Sequence, residues 1–279
     1  MSAANRQMPP AMILCGGQGS RLRDVSEVLP KPMVPVGRQP ILWHIMKIYA
    51  AFGVRRFILC LGYKRESIID YFLNYRSRSS DLTIRLGDRS GIEFHANGIA
   101  AEDWEVTLAD TGEHTMTGAR VARASDYLRA DDHDFFLTYG DGVADVDVAA
   151  LLQFHRSHGR AVTVTAVHPA SRFGEVSLDE SRVTAFHEKP QTESGLINGG
   201  FFVLNRGFLA RYLDTATTTA DTVLEEEPMR RAAAESEMMA YVHHGFWQCM
   251  DTPREHLLLN QLWDSGNAPW ARGWGQPVS

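Results

Sequence analysis

The chain has 279 residues, 44% hydrophobic and 22% charged, an ordinary balance for a globular fold with a substantial core. Its formal charge of −6 argues against a nucleic-acid-binding surface, which needs clustered Lys and Arg, and no apolar run approaches the length of a membrane span. Three cysteines (Cys15, Cys60, Cys249) without CxxC spacing read as the reduced thiols of a cytoplasmic protein.

Residues 1–10 lack the apolar stretch of a signal peptide and read as a disordered lead-in. Residues 11–279 read as one domain, with a nucleotide-binding half (11–150) and a half that completes the site (151–279). Ala11–Leu14 is expected to be a buried strand. Pro40–Phe52 is expected to be a helix, with Ile41, Ile45, Ile48 and Phe52 at helical spacing behind a proline. A second buried strand is expected at Arg56–Leu61, an amphipathic helix over 64–76, and a third strand at Phe135–Tyr139. Val148–His158 reads as a helix and Ala161–Val167 as a β-branched strand. Such alternation predicts an α/β fold with a mixed, mostly parallel sheet flanked by helices. Antiparallel character enters later: Gly174–Leu178 and Val183–His187 read as paired strands, followed by a strand at Asn198–Asn205. Helices are expected over 222–236 and 253–265.

Four constellations carry the chemistry. The first follows the opening strand: Leu14-Cys15-Gly16-Gly17-Gln18-Gly19-Ser20-Arg21, with Lys31 close behind. Glycines let backbone N–H groups turn toward an anion, and Arg21 and Lys31 add full positive charge. The loop fits neither the Walker nor the dinucleotide pattern, and taken alone it is equally a plain turn. The second is Tyr139-Gly140-Asp141-Gly142, at the carboxyl end of a strand, where open α/β sheets bind ligands. Asp141 suits Mg²⁺ there, although an Asp-Gly turn is the purely structural reading. The third places Asp251 before a proline-opened helix, either as an N-cap or as a second carboxylate for the same ion. In the fourth, Glu188-Lys189-Pro190 holds Lys189 in extended backbone, and Asn198-Gly199-Gly200 permits close approach of a sugar hydroxyl or forms a β-bulge. The histidines show no metal spacing, and no Ser-centred nucleophile elbow occurs.

Together these segments resemble the sugar-1-phosphate nucleotidylyltransferases, and most closely the glucose-1-phosphate cytidylyltransferases. The resemblance runs from about Ala11 to about Trp270. Its most specific pieces are Ile41–Lys47, Leu108–Gly112, Met116-Thr117-Gly118, Thr138–Asp145, Arg172-Phe173-Gly174, Ile197–Phe202 and Gly245–Thr252. It implies the Rossmann-like nucleotide-diphospho-sugar transferase fold and condensation of CTP with glucose 1-phosphate to CDP-glucose and pyrophosphate. It also implies that Leu14, Gly16, Gly17, Gly19, Ser20, Thr111, Gly112, Met116 and Gly118 bind the nucleotide, with Arg21 and Lys31 on its phosphates. Asp141 and Asp251 would hold Mg²⁺, while Gly142, Gly174, Glu188, Lys189, Asn198 and Gly199 would bind the sugar phosphate. Arg21, Lys31, Asp141 and Lys189 would be the catalytic set. Cys15 and Ser20 stand where Ala and Thr are usual. Uridylyl or thymidylyl transfer, another sugar phosphate, or a silent sugar-nucleotide-sensing subunit are the competing readings. The resemblance and the exposed-looking Trp263, Trp270 and Trp274 favour a homo-oligomer, a hexamer being one form of it.

Overall fold

The computed structural model describes residues 8–17, 29–87, 90–95, 102–169, 175–179, 182–187 and 195–274. Its frame starts with β1 (Ala11–Leu14), a hairpin of β2 (Pro35–Val36) and β3 (Gln39–Pro40), helix α1 (Ile41–Ala51) and β4 (Arg56–Leu61). Then come α2 (Arg65–Leu73), α3 (Tyr75–Ser79), the hairpin β5 (Leu82–Arg85) and β6 (Gly91–Phe94), β7 (Glu105–Asp110) and α4 (Thr117–Ala124). β8 (Asp134–Tyr139), β9 (Gly142–Ala144), α5 (Val148–His158) and β10 (Val162–Val167) lead to a second hairpin, β11 (Glu175–Asp179) and β12 (Arg182–His187). The chain continues through β13 (Ile197–Asn205), α6 (Arg206–Tyr212), α7 (Glu227–Ala234), β14 (Met238–His243), β15 (Trp247–Cys249) and α8 (Pro253–Asp264).

Seven strands form one sheet in the order β14-β10-β13-β8-β1-β4-β7. β1 runs parallel to both β4 and β8, β4 to β7 and β10 to β14, whereas β13 is antiparallel to β8 and β10. This is the mixed, mostly parallel sheet expected. Both faces are covered, so β1 is apolar at every position: Ala11 and Ile13 join the core under α1 and α5, and Met12 and Leu14 join the core under α4 and α6.

The expected strands at Ala11–Leu14 and Arg56–Leu61 and the helix at Val148–His158 form with those bounds. Asp147 caps that helix by accepting from the Ala150 N–H, and Gly159 ends it with φ +65°. Two expectations need correction. The helix expected over 64–76 breaks at Asn74 into α2 and α3, and the Asn74 side chain bonds back to the Asp70 carbonyl. The helix expected over 222–236 covers only Glu227–Ala234, because the preceding residues are drawn to α4: the Leu224 N–H donates to Thr117 Oγ1, and the Ala119 N–H to the Thr222 carbonyl.

The C-terminal tryptophans pack inward: Trp270 is buried and Trp263 and Trp274 are half-buried. They close around His44 of α1, itself 0% exposed. Trp263 stands edge-on to the imidazole at 4.5 Å, and the Trp270 indole N–H donates to His44 Nδ1 at 3.3 Å. His44 Nε2 therefore carries the proton and donates to the Val36 carbonyl at 2.9 Å. Burial lowers its pKa to about 4, against an opposing Val36 hydrogen bond. A histidine depressed in the fold is neutral there while its unfolded counterpart charges, so its stabilisation is complete above pH 6.5 and is lost as pH falls toward 4. The full loss is on the order of 3 kcal/mol. Urea unfolding at pH 7, 5.5 and 4.5 should show the wild type losing more stability than His44→Gln, which cannot charge; parallel losses would contradict a neutral His44.

Candidate active site

The first wall is built where β1 and β4 end. The Cys15 N–H donates to the Cys60 carbonyl and extends the parallel ladder by one rung, after which Gly16 and Gly17 leave the sheet. The side chain that shapes this wall is Arg120 of α4, 4% exposed. Its guanidinium donates to the carbonyls of Gly16 (3.0 Å), Leu61 (2.9 Å), Gly112 (2.7 Å) and Glu113 (3.1 Å) and to Thr111 Oγ1 (2.9 Å). A Cβ on Gly16 would stand 2.2 Å from that guanidinium, so glycine is required there by close approach.

Lys31 lies in a single 3₁₀ turn, Lys31–Met33, entered through extended Pro30. Asp141 follows β8, held by the Gly140 N–H on the Leu14 carbonyl. Asp251 arrives from the far end of the chain. β15 pairs with β9, Gly142 opposite Cys249, and the Met250 N–H donates to the Asp141 carbonyl at 2.8 Å. The N-cap reading of Asp251 does not hold. Thr252 takes that place in a capping box with Glu255, which leaves the Asp251 carboxylate facing Lys31. The Lys31 ammonium donates to Asp141 Oδ2 at 2.6 Å and also to Asp251 Oδ1. Burial alone would lower its pKa, but the Asp141 and Asp251 carboxylates outweigh burial and hold it above the ordinary lysine value. Two carboxylates 110 residues apart, one from mid-chain and one from near its end, thus converge on one cation.

That donor set fits a hard divalent ion. Among the described residues no group of three or more His, Cys, Asp or Glu side chains could hold a metal. Two carboxylates with the remaining positions left to water and phosphate oxygens is the pattern Mg²⁺ takes. The thiols offer no competing nucleophile. Burial pushes the Cys249 thiol up to about 12, with Asp251 adding to the shift, and burial followed by Cys60 raises Cys15 well above its ordinary value.

Two cavities flank Asp141. The larger, about 520 Å³, has Leu14, Cys15, Gly16 and Gly17 on one side, residues 113–117 and Arg120 on the other, and Lys31 and Asp141 at its end. The smaller, about 220 Å³, lies between Asp141, Gly142, Asn198, Gly199, Trp247 and Asp251. Tyr139 and Asp141 belong to both. At Asn198–Gly200 the alternative of a bulge is present: β13 carries two extra residues between Phe202 and Asn198 relative to β10, and Gly200 has φ +76°.

Of the anticipated nucleotide residues, Leu14, Gly16, Gly17, Lys31, Met116 and Asp141 line the larger cavity. Thr111 is fully buried beneath it, its hydroxyl donating to the Leu61 carbonyl at 2.6 Å, and Gly118 packs against Thr222. Gly112 contributes its carbonyl to Arg120. Gly142, Asn198 and Gly199 line the smaller cavity. Gly19, Ser20, Arg21, Gly174, Glu188 and Lys189 lie outside the described residues. Thr117, from the Met116-Thr117-Gly118 segment, also lines the larger cavity, as do Arg120, Thr115 and Tyr139, which were not anticipated as binding residues.

A family model described as nucleotidyl transferase matches residues 10–257. The chain belongs to the nucleotidyl transferase family. Within it, the chain is 46% identical over 260 residues to the glucose-1-phosphate cytidylyltransferase of Salmonella typhi, spanning 93% of this chain and 98% of that one. It is 40% identical over the same shares to a probable glucose-1-phosphate cytidylyltransferase of Bacillus subtilis. The inositol-1-phosphate CTP transferase of T. maritima shares the fold of this nucleotidyl transferase, with a TM-score of 0.63 at 16% identity over 96% of this chain and 98% of that one. No helix among the described residues is long and apolar enough to cross a membrane.

Proposed function

We propose that this nucleotidyl transferase condenses CTP with α-D-glucose 1-phosphate to give CDP-glucose and pyrophosphate. The observation that carries the reading is the pair of cavities sharing Asp141: one side has room for a nucleotide, the other for a sugar phosphate, and the carboxylates meet between them. Full-length relatives bearing the glucose-1-phosphate cytidylyltransferase name support this choice of substrates.

A phosphate oxygen of the sugar phosphate is already an anionic nucleophile, so no general base is required. It attacks the α-phosphorus of CTP, a new P–O bond forms, and the bond to the β-phosphate oxygen breaks as pyrophosphate leaves. The protein's task is to bring two polyanions into line. Lys31 supplies positive charge at the end of the nucleotide cavity, and Arg120 braces the backbone that walls it. We assign Arg21 to the triphosphate and Lys189 to the sugar phosphate, as the resemblance to the sugar-1-phosphate nucleotidylyltransferases implies. Asp141 and Asp251 would hold Mg²⁺, which when bound neutralises phosphate charge and polarises the phosphoryl oxygens.

Pyrophosphate release measured over the four NTPs and several sugar 1-phosphates tests the reading. CTP with glucose 1-phosphate should give the highest kcat/KM, and chelation with EDTA should stop turnover until Mg²⁺ is restored. Preference for UTP or dTTP would move the protein to another branch of the same chemistry, and ligand binding without turnover would make it a sensor.

A further inference from the structure

The phenol of Tyr139 stands where the two cavities meet, and the chemistry above gives it no task. Its ring packs edge-on to Phe202 at 5.9 Å and covers Gly200, where an added Cβ would stand 2.5 Å from the ring. Its hydroxyl donates to Glu225 Oε1 at 2.5 Å. Burial, then the Glu225 charge, push the phenol well above its ordinary pKa, so that proton stays on the oxygen and points at Glu225. A lone pair remains, and it accepts from Asn198 Nδ2 at 3.3 Å. The Asn198 carbonyl is itself committed: Oδ1 accepts from the Gly200 N–H at 2.9 Å.

The chain of bonds therefore has one direction, from the Gly200 N–H through the Asn198 amide and the Tyr139 hydroxyl to the Glu225 carboxylate. A primary amide left alone can turn end for end. Here the turned amide would face donor with donor at Gly200 and acceptor with acceptor at Tyr139. Glu225 is anchored in turn, since Thr117 donates to its Oε2 at 2.7 Å and the Leu224 N–H donates to Thr117 Oγ1 at 2.9 Å. One Asn198 amide hydrogen goes to Tyr139; the other remains on an exposed side chain lining the smaller cavity.

We propose that Glu225 and Tyr139 are positioning residues that lock Asn198 with its amide nitrogen as a donor into the smaller cavity, so that the cavity selects a sugar hydroxyl able to accept there. The inference rests on reading that cavity as the sugar-phosphate pocket. A polar group arranged for a hydroxyl penalises an analogue that lacks it, because the donor, once the bound sugar shuts out water, is then left unpaired.

Tyr139→Phe keeps the ring and removes only the hydroxyl. Its KM for glucose 1-phosphate should rise about three- to tenfold, the worth of one hydrogen bond, with the KM for CTP within about twofold of wild type. Among monodeoxy glucose 1-phosphates, the analogue that wild type rejects most should lose its penalty in the variant. Glu225→Gln, a second and independent break, should shift the sugar-phosphate KM in the same direction. Equal movement of both KM values, no movement, or a deoxy penalty absent from wild type or retained in both variants overturns the inference. A wild type that does not use glucose 1-phosphate overturns the reading of the cavity instead.

Discussion

Asp141→Asn will cost this enzyme on the order of 10²–10³-fold in kcat while leaving its thermal midpoint nearly where it was. The substitution keeps the shape of the side chain and removes only its charge. In the fold that carboxylate touches the Lys31 ammonium, and its 29% exposure leaves room for water. The bond that ties this turn to β15 uses the Asp141 backbone carbonyl, which the change does not touch. Nothing structural should fail, whereas one of the two charges that can hold a divalent ion is gone. Pyrophosphate release alongside a thermal melt separates the two effects. A near-normal rate would take Asp141 out of the metal site.

Arg120→Ala will act on stability. Five hydrogen bonds leave with the guanidinium, four of them to backbone carbonyls; Leu61 keeps the Thr111 N–H and hydroxyl and Gly16 keeps the Tyr63 N–H, but the carbonyls of Gly112 and Glu113 lose their donor. An acceptor stranded in the interior costs about 1–3 kcal/mol, and the losses are not additive, so a total on the order of 4 kcal/mol is expected. For a chain of this size that lowers the melting temperature by roughly 10 °C. Arg120→Lys should recover little, since three donors on one nitrogen cannot span carbonyls from three separate segments. A midpoint for Arg120→Ala within about 2 °C of wild type would mean that water satisfies those carbonyls, and that the arginine is not what holds the wall together.

Much of the frame was legible because its elements obey a simple period or none. Ala11–Leu14 and Phe57–Leu61 are unbroken apolar runs, as a strand covered on both faces must be. The helix Val148–His158 announces itself through Asp147 before it and Gly159 after it. Within the candidate site, Lys31 behind the glycine loop, Asp141 between two glycines at a strand end and Asp251 before a proline-opened helix were legible as charges, and these three do meet. What stayed hidden depends on contacts between distant segments. The three-residue strands β9 and β15 are too short to carry a period, so their pairing has no local sign. Asp251 and Thr252 are both good capping residues, and only the fold shows which one caps. Arg120 looked like any surface arginine in Thr117–Ala124. Its one trace in the sequence is a pair of glycines, Gly16 and Gly62, at the ends of neighbouring strands, each leaving space that the guanidinium fills. Tyr139 and Glu225, 86 residues apart, left no trace at all.

The pairing of β9 with β15 also sets an order of events during synthesis. Lys31 and Asp141 are 110 residues apart, and Lys31 and Asp251 are 220. A ribosome that has released everything through β14 has delivered every strand of the seven-stranded sheet, and that portion has most of its core. It still lacks β15, Asp251 and the helix whose cap leaves that carboxylate available. Growing chains can therefore become compact well before they can gather both carboxylates around a cation. If those carboxylates serve as proposed, catalytic competence arrives late, with the closing of a three-residue ladder.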